Sequence, residues 1–137
     1  MLKDKKISII GSGNMGEALV SGLITSGSSK PENIICTDIR MNKLESVAKK
    51  YGVVTLTENI KAVEFSDIII YAVKPQIIAS VLKETASCLD MSKLIISIAA
   101  GVPLAAIESC LKKELRLIRV MPNIAAFVKE SASVIAA

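Results

Sequence analysis

A chain of 137 residues is long enough for one hydrophobic core and short for two. With 51% hydrophobic and 22% charged residues it can fill that core and still dissolve, which excludes disorder as the state of most of the chain. Its net charge of +4 comes from basic residues scattered in pairs, such as Lys49 with Lys50, and the four aromatics do not interleave with them. Solvated helix ends account for such pairs, so no nucleic-acid partner is expected.

The first strand is expected at Lys6 to Ile10. The basic start followed by Ile7 to Ile10 imitates a signal peptide, but Gly11, Gly13, Asn14 and Glu17 break the apolar run too early. No apolar stretch reaches the roughly 20 residues of a membrane span, so no membrane is expected and the cytoplasm is the expected compartment. Gly11-Ser12-Gly13-Asn14-Met15-Gly16 comes next, a Gly-x-Gly-x-x-Gly opening a predicted helix. A bare glycine pattern is often only a turn; directly after a strand and before a helix it has the context of a dinucleotide-binding fingerprint. The first glycine then serves the tight turn, the second lets the pyrophosphate approach the backbone, and the third lets the helix lie close to the sheet. The N–H groups and partial positive charge of that helix end suit phosphate.

Ser26-Gly27-Ser28 and Lys30-Pro31-Glu32-Asn33 punctuate the chain before a second strand at Ile34 to Thr37. Asp38 stands at its end, 22 residues beyond Gly16, placed to accept hydrogen bonds from adenosine ribose hydroxyls. The competing explanation is a cap on the helix from Met41 to Tyr51, whose Leu44, Val47, Ala48 and Tyr51 share one face. A carboxylate here favours NAD over NADP, while Arg40 two residues on pulls the other way, leaving NADH and NADPH both open.

Further strands are read at Val53 to Thr55, Ile68 to Ala72, Leu94 to Ile98 and Arg116 to Val120. Helices are read around Ile77, Ile78, Val81 and Leu82, and from Pro103 to Leu111. Met121-Pro122-Asn123 is a break, and Ser131 to Ala137 is apolar enough for one more edge strand. Nearly continuous apolar strands alternating with helices imply an α/β Rossmann-type, doubly wound, mostly parallel sheet with helices on both faces, in one domain over residues 1–137. Cys36, Cys88 and Cys110, odd in number and set in apolar sequence, read as reduced core cysteines without disulfide or metal. Histidine is absent, so any chemistry has to come from a cofactor or from other groups, and no catalytic side chain is assigned.

Four segments in order carry more identity than the fold demands: the glycine run 11–16, Ala72-Val73-Lys74-Pro75, Ser97-Ile98-Ala99-Ala100-Gly101-Val102, and Arg119-Val120-Met121-Pro122-Asn123. Together they resemble the recurrent segments of pyrroline-5-carboxylate reductase over essentially the whole chain. The resemblance implies NAD(P)H-dependent reduction of 1-pyrroline-5-carboxylate, a small imino acid, to L-proline, a hydride transfer to a C=N carbon that needs no histidine. It also implies that Ser12, Asn14 and Met15 line the pyrophosphate turn and that Asn59 touches the adenosine ribose. Ala72, Val73, Lys74 and Pro75 would then pass beside the nicotinamide-side ribose, and Ile98, Ala99 and Ala100 would flank the nicotinamide. Taken singly, Lys74 reads as a surface charge starting a helix, Asn59 as a cap for Ile60 to Val63, and Ala99 and Ala100 as tight packing.

Members of that family continue into a helical domain that makes a homo-oligomer and most of the imino-acid pocket. The expectation is that this chain lacks that domain, binds nucleotide without turnover, and leaves an apolar docking surface exposed. It departs from the family at Ile124-Ala125 and Ser131, where Thr-Pro and Gly are usual. Two other readings remain open: the cofactor domain of another NAD(P)-dependent reductase such as a hydroxyacid dehydrogenase, and a non-catalytic nucleotide-sensing module.

Overall fold

The computed structural model describes residues 2–121 and 134–136. Seven strands form one sheet: β1 (Ile7–Ile10), β2 (Ile34–Thr37), β3 (Val54–Leu56), β4 (Ile68–Tyr71), β5 (Leu94–Ser97), β6 (Arg116–Met121) and β7 (Val134–Ala136). Five α-helices connect them: α1 (Asn14–Thr25), α2 (Met41–Tyr51), α3 (Asn59–Phe65), α4 (Pro75–Thr85) and α5 (Leu104–Leu111). The strand order is β3-β2-β1-β4-β5-β6-β7, parallel throughout except for β7, which runs antiparallel to β6. The mostly parallel, doubly wound sheet expected from the apolar runs is therefore the sheet observed.

Alternation along the strands divides the core in two. Ile7, Ile9, Ile34, Cys36 and Ile70 face one side, where they meet Val20 of α1 and Val47 of α2. Ile10, Ile35, Ile69, Tyr71 and Ile95 face the other, against Ala62 and Val63 of α3, Ile78 and Leu82 of α4, and Ile107 and Leu111 of α5. Both faces of the central strands are thus covered, which is why β1, β2 and β4 read as unbroken apolar runs. Tyr71 is fully buried with its hydroxyl 2.7 Å from Thr85 Oγ1, and the Thr85 hydroxyl donates to Val81 O at 2.9 Å. Burial pushes the Tyr71 hydroxyl up to about 12, so it stays protonated.

Several boundaries differ from the expected ones for local reasons. β1 begins at Ile7 because Lys6 serves the loop before β4, its N–H donating to Asp67 Oδ2 and its carbonyl accepting from Asp67 and Ile68. β3 begins one residue late, at Val54, because Gly52 closes α2 in the left-handed region and Val53 then packs into the core. β4 and β5 stop one residue short, at Tyr71 and Ser97, where the chain leaves the sheet toward α4 and α5 respectively. α5 starts at Leu104 with Pro103 as its N-cap. β6 runs on through Met121, one residue into the expected break; Pro122, Asn123, Ile124, Ala125 and Ser131 lie outside the described residues. The expected edge strand holds over Val134–Ala136.

Ile69 is 0% exposed in the second strand of the sheet's centre. Ile69→Ala is expected to lower unfolding free energy by about 3 kcal/mol, within the range of about 2–5 for such truncations. Met91→Ala, at a position 55% exposed, should change it by less than about 0.5 kcal/mol. Urea unfolding of the two variants checks this; equal effects would contradict the assigned core.

Candidate functional site

Parallel strands deliver all their C-terminal ends to one edge, and a cavity of about 340 Å³ opens there. The chain leaves β1 through Gly11, whose φ of +103 is closed to most side chains and whose N–H donates to Thr37 O at 3.0 Å. Ser12 is buried, its Oγ donating to the same carbonyl at 3.0 Å and its N–H to Asp38 Oδ2 at 3.0 Å. These three bonds pin the turn to the end of β2.

Gly13 is the N-cap of α1 and offers no side-chain cap, which leaves the first-turn N–H groups of that helix without a side-chain acceptor from the cap. A Cβ at Gly13 would meet nothing nearer than Arg40 Nη2 at 3.9 Å, so its outer side is open. A Cβ at Gly16, by contrast, would stand 2.1 Å from Gly11 O, which leaves no room for any side chain. Glu17, the acid of the first turn, is turned to α2, accepting from Lys50 Nζ at 3.0 Å and Tyr51 OH at 3.2 Å. The Lys50 hydrogen bond holds its carboxyl below the usual range. An open backbone turn with free donors and an acid drawn aside fits the diphosphate of a dinucleotide.

Asp38 projects from the residue after β2, its side chain 7% exposed. Its Oδ1 accepts from Arg40 N at 2.9 Å and Arg40 Nε at 3.0 Å, and its Oδ2 from Ser12 N and Arg40 Nη2 at 3.1 Å. Burial acts to raise this carboxyl, but the Arg40 side chain and the two backbone N–H groups overcome it and hold it down at about 2. The capping alternative is not what forms: α2 has Arg40 at its N-cap and no side-chain cap bond. Nor does Asn59 cap α3; Glu58 holds that position, without a side-chain bond, and Asn59 opens the helix and lines the cavity.

Of the sequence-derived residues, Gly11, Gly13, Asp38, Asn59, Ala72, Val73 and Lys74 border the cavity. Asn14 and Met15 lie in the first turn of α1, outside its wall, and Pro75 begins α4 behind Lys74. Ile98, Ala99 and Ala100 follow β5 at the same sheet edge but stand away from the cavity; Ile98 N donates to Tyr71 O at 3.2 Å and Ala99 is buried. Thr37, Ile39 and Ile77 also line the cavity and were not among the residues the sequence pointed to for the site. Thr37 Oγ1 is buried without a hydrogen-bond partner among the described residues, and Ile39 is 90% exposed. The signal for Ile39 was available: an isoleucine between Asp38 and Arg40, just past a strand end, has no core to enter.

No group of three or more metal-ligating side chains forms among the described residues, and none of their helices is long and apolar enough to cross a membrane.

Residues 6–101 match the protein-family model described as NADP oxidoreductase coenzyme F420-dependent. The chain is 47% identical over 135 residues to a pyrroline-5-carboxylate reductase of Methanosarcina acetivorans, covering 98% of this chain and 50% of the relative. It is 38% identical over 125 residues to that of Escherichia coli, covering 91% and 46%. Among solved structures it superposes on a pyrroline-5-carboxylate reductase of Coxiella burnetii with a TM-score of 0.92 at 36% identity, covering 96% of this chain and 48% of the other. The Plasmodium falciparum pyrroline carboxylate reductase with NADP bound gives 0.87 at 29% identity, covering 99% and 49%. The chain therefore spans about half the length of the relatives it matches.

The Asp38 geometry sets a pH dependence. A carboxyl lowered from 3.8 to about 2 contributes stability that is complete above about pH 4 and is lost as pH falls through 2. Asp38→Asn removes that contribution, so its stability should fall less steeply than the wild type's between pH 4 and 2 in urea unfolding. Parallel acid slopes would show that the carboxylate is not held as described.

Proposed function

We propose that this chain, which belongs to the NADP oxidoreductase family and within it to the pyrroline-5-carboxylate reductases, is the nucleotide-binding half of an enzyme reducing 1-pyrroline-5-carboxylate to L-proline with NADPH or NADH. The observation that carries this reading is the glycine turn: open at Gly13, closed tight at Gly16, and continuous with a cavity that ends at Asp38 and Asn59. In this reading residues 1–137 are the NAD(P)-binding domain. Gly13, Asn14, Met15 and Gly16 present backbone N–H groups to the diphosphate, while Gly11 and Ser12, whose own N–H groups go to Thr37 O and Asp38 Oδ2, shape the turn from behind by tying it to β2. Asp38 and Asn59 receive the adenosine ribose. Ala72, Val73, Lys74 and Pro75 run beside the second ribose, and Ile98, Ala99 and Ala100, at the end of the neighbouring strand, face the nicotinamide.

The nucleotide, when bound, supplies the hydride. The chain's own share is to hold the acceptor carbon against it and keep water away, which needs no imidazole and is consistent with a sequence without histidine. The apolar walls offered by Val73, Ile77 and Ile39 suit that exclusion. The imino-acid pocket is completed by the part of the relatives that this chain does not span, in a homo-oligomer. The three cysteines, all unpaired, suit the reducing cytoplasm.

Fluorescence titration with NADPH and NADH tests the reading. Saturable binding is expected for the wild type. Gly13→Val, projecting into open space, should leave the melting temperature nearly unchanged and weaken binding by at least about tenfold, about 1.4 kcal/mol. Gly16→Ala, forced against Gly11 O, should instead lose about 2 kcal/mol of stability or more. A wild-type chain that binds neither nucleotide would contradict the assignment.

A further inference from the structure

We infer that Lys50 and Tyr51 on α2 are positioning residues for nucleotide binding: by holding the Glu17 carboxylate they keep its charge away from the helix end that receives the diphosphate. This rests on the nucleotide-binding reading above and assigns part of that site's affinity to a contact between two helices outside the cavity wall.

Glu17 is the acid in the first turn of α1. A carboxylate there is drawn to the N-terminus of its own helix, where partial positive charge and unpaired N–H groups favour an anion. Helix geometry assists, because every Cα–Cβ bond tilts toward that end. The cap residue, Gly13, has no side chain to occupy those donors first. An unheld Glu17 would therefore lean toward the end of α1 that receives the diphosphate and set anion against anion.

In the structure it is held to the side instead. Lys50 Nζ donates to Glu17 Oε1 at 3.0 Å and Tyr51 OH to the same oxygen at 3.2 Å, while Lys43 Nζ stands 3.8 Å from Oε2. All three groups come from α2, which fixes the carboxylate on the α2 side of α1. The Lys50 hydrogen bond holds the carboxyl below its usual range, so the charge is present at neutral pH and its placement matters. Lys50 is 61% exposed, and an ion pair with so exposed a cation adds little to folding. Its effect is on where the charge sits. None of Glu17, Lys43, Lys50 and Tyr51 borders the cavity, so Lys50 and Tyr51 reach the ligand through Glu17.

The test is a double-mutant cycle read in NADPH affinity, by fluorescence titration at low ionic strength, where partly exposed charges are least screened. Lys50→Ala should weaken NADPH binding about twofold to fivefold, the size of a charge effect at a helix end. Its melting temperature should stay within about 2 °C of the wild type's. Lys50→Arg, which keeps charge and donor, should bind as the wild type does; Tyr51→Phe, which removes one donor and no charge, should weaken binding less than Lys50→Ala. Glu17→Gln should bind at least as tightly as the wild type, and in that background Lys50→Ala should have no further effect. Lys49→Ala removes the same charge one residue away, from a side chain without an ion pair among the described residues, and should leave affinity unchanged. Equal weakening by Lys50→Ala with and without the Glu17 charge would overturn the proposal, because the lysine would then act on the ligand directly. Equal weakening by Lys49→Ala and Lys50→Ala would overturn it as well. If the wild type binds neither NADPH nor NADH, the oxidoreductase reading fails first and the positioning role with it; if it binds and the cycle shows no coupling, the reading stands and the positioning role alone is wrong.

Discussion

The structure depends on one close approach between two pieces of backbone. Gly16 in the first turn of α1 lies against Gly11 at the exit of β1, so near that a single added carbon would stand 2.1 Å from the Gly11 carbonyl oxygen. Gly11 in turn approaches β4, where an added carbon would lie 2.9 Å from Ala72 O. These contacts bring the ends of β1 and β4 and the start of α1 to one place. The parallel register of β2 against β1 then sets Asp38 beside the turn. A helix seated farther out would neither aim its N-terminal donors at the cavity nor let Ser12 reach Thr37 O and Asp38 together.

Electrostatics follow from that seating. The N-terminus of α1 carries partial positive charge, and its one acid, Glu17, is bound to Lys50 and Tyr51 on α2, which leaves the donors free of an internal carboxylate. The anion that does face the cavity, Asp38, stands at the far side of the turn and is held by four donors. One edge of the sheet thus separates a cationic cradle from an anionic recess by the width of a glycine loop. That arrangement matches a molecule with a diphosphate in the middle and a ribose to one side.

Much of the fold was legible because the central strands are buried on both faces and so appear as apolar runs; Ile34–Thr37 and the helix Met41–Tyr51 were placed to the residue. Strand ends were less legible, since Lys6 and Val53 are decided by partners distant in sequence, Asp67 and the core beneath α2. α3 was underestimated because seven residues with only Ala62 and Val63 buried leave little helical period to read. At the site, Asp38 was singled out by its spacing from Gly16 and lies on the cavity wall, but not in isolation: the bidentate hold of Arg40 has no spacing signature. Thr37, Ile39 and Ile77 were missed because lining a cavity depends on which strand and helix ends the topology gathers. Ile98, Ala99 and Ala100 were selected by resemblance, and their place past β5, off the cavity, is a matter of register that a motif does not encode.

The most direct test of the central claim is an amide correlation spectrum of isotopically labelled protein titrated with NADPH. The largest saturable shifts should fall on the amides of Gly13, Asn14 and Met15, with a second group at Asp38 to Arg40, at one common dissociation constant. Saturable binding that moves other amides and leaves Gly13 to Met15 in place would contradict the claim that this backbone turn holds the diphosphate.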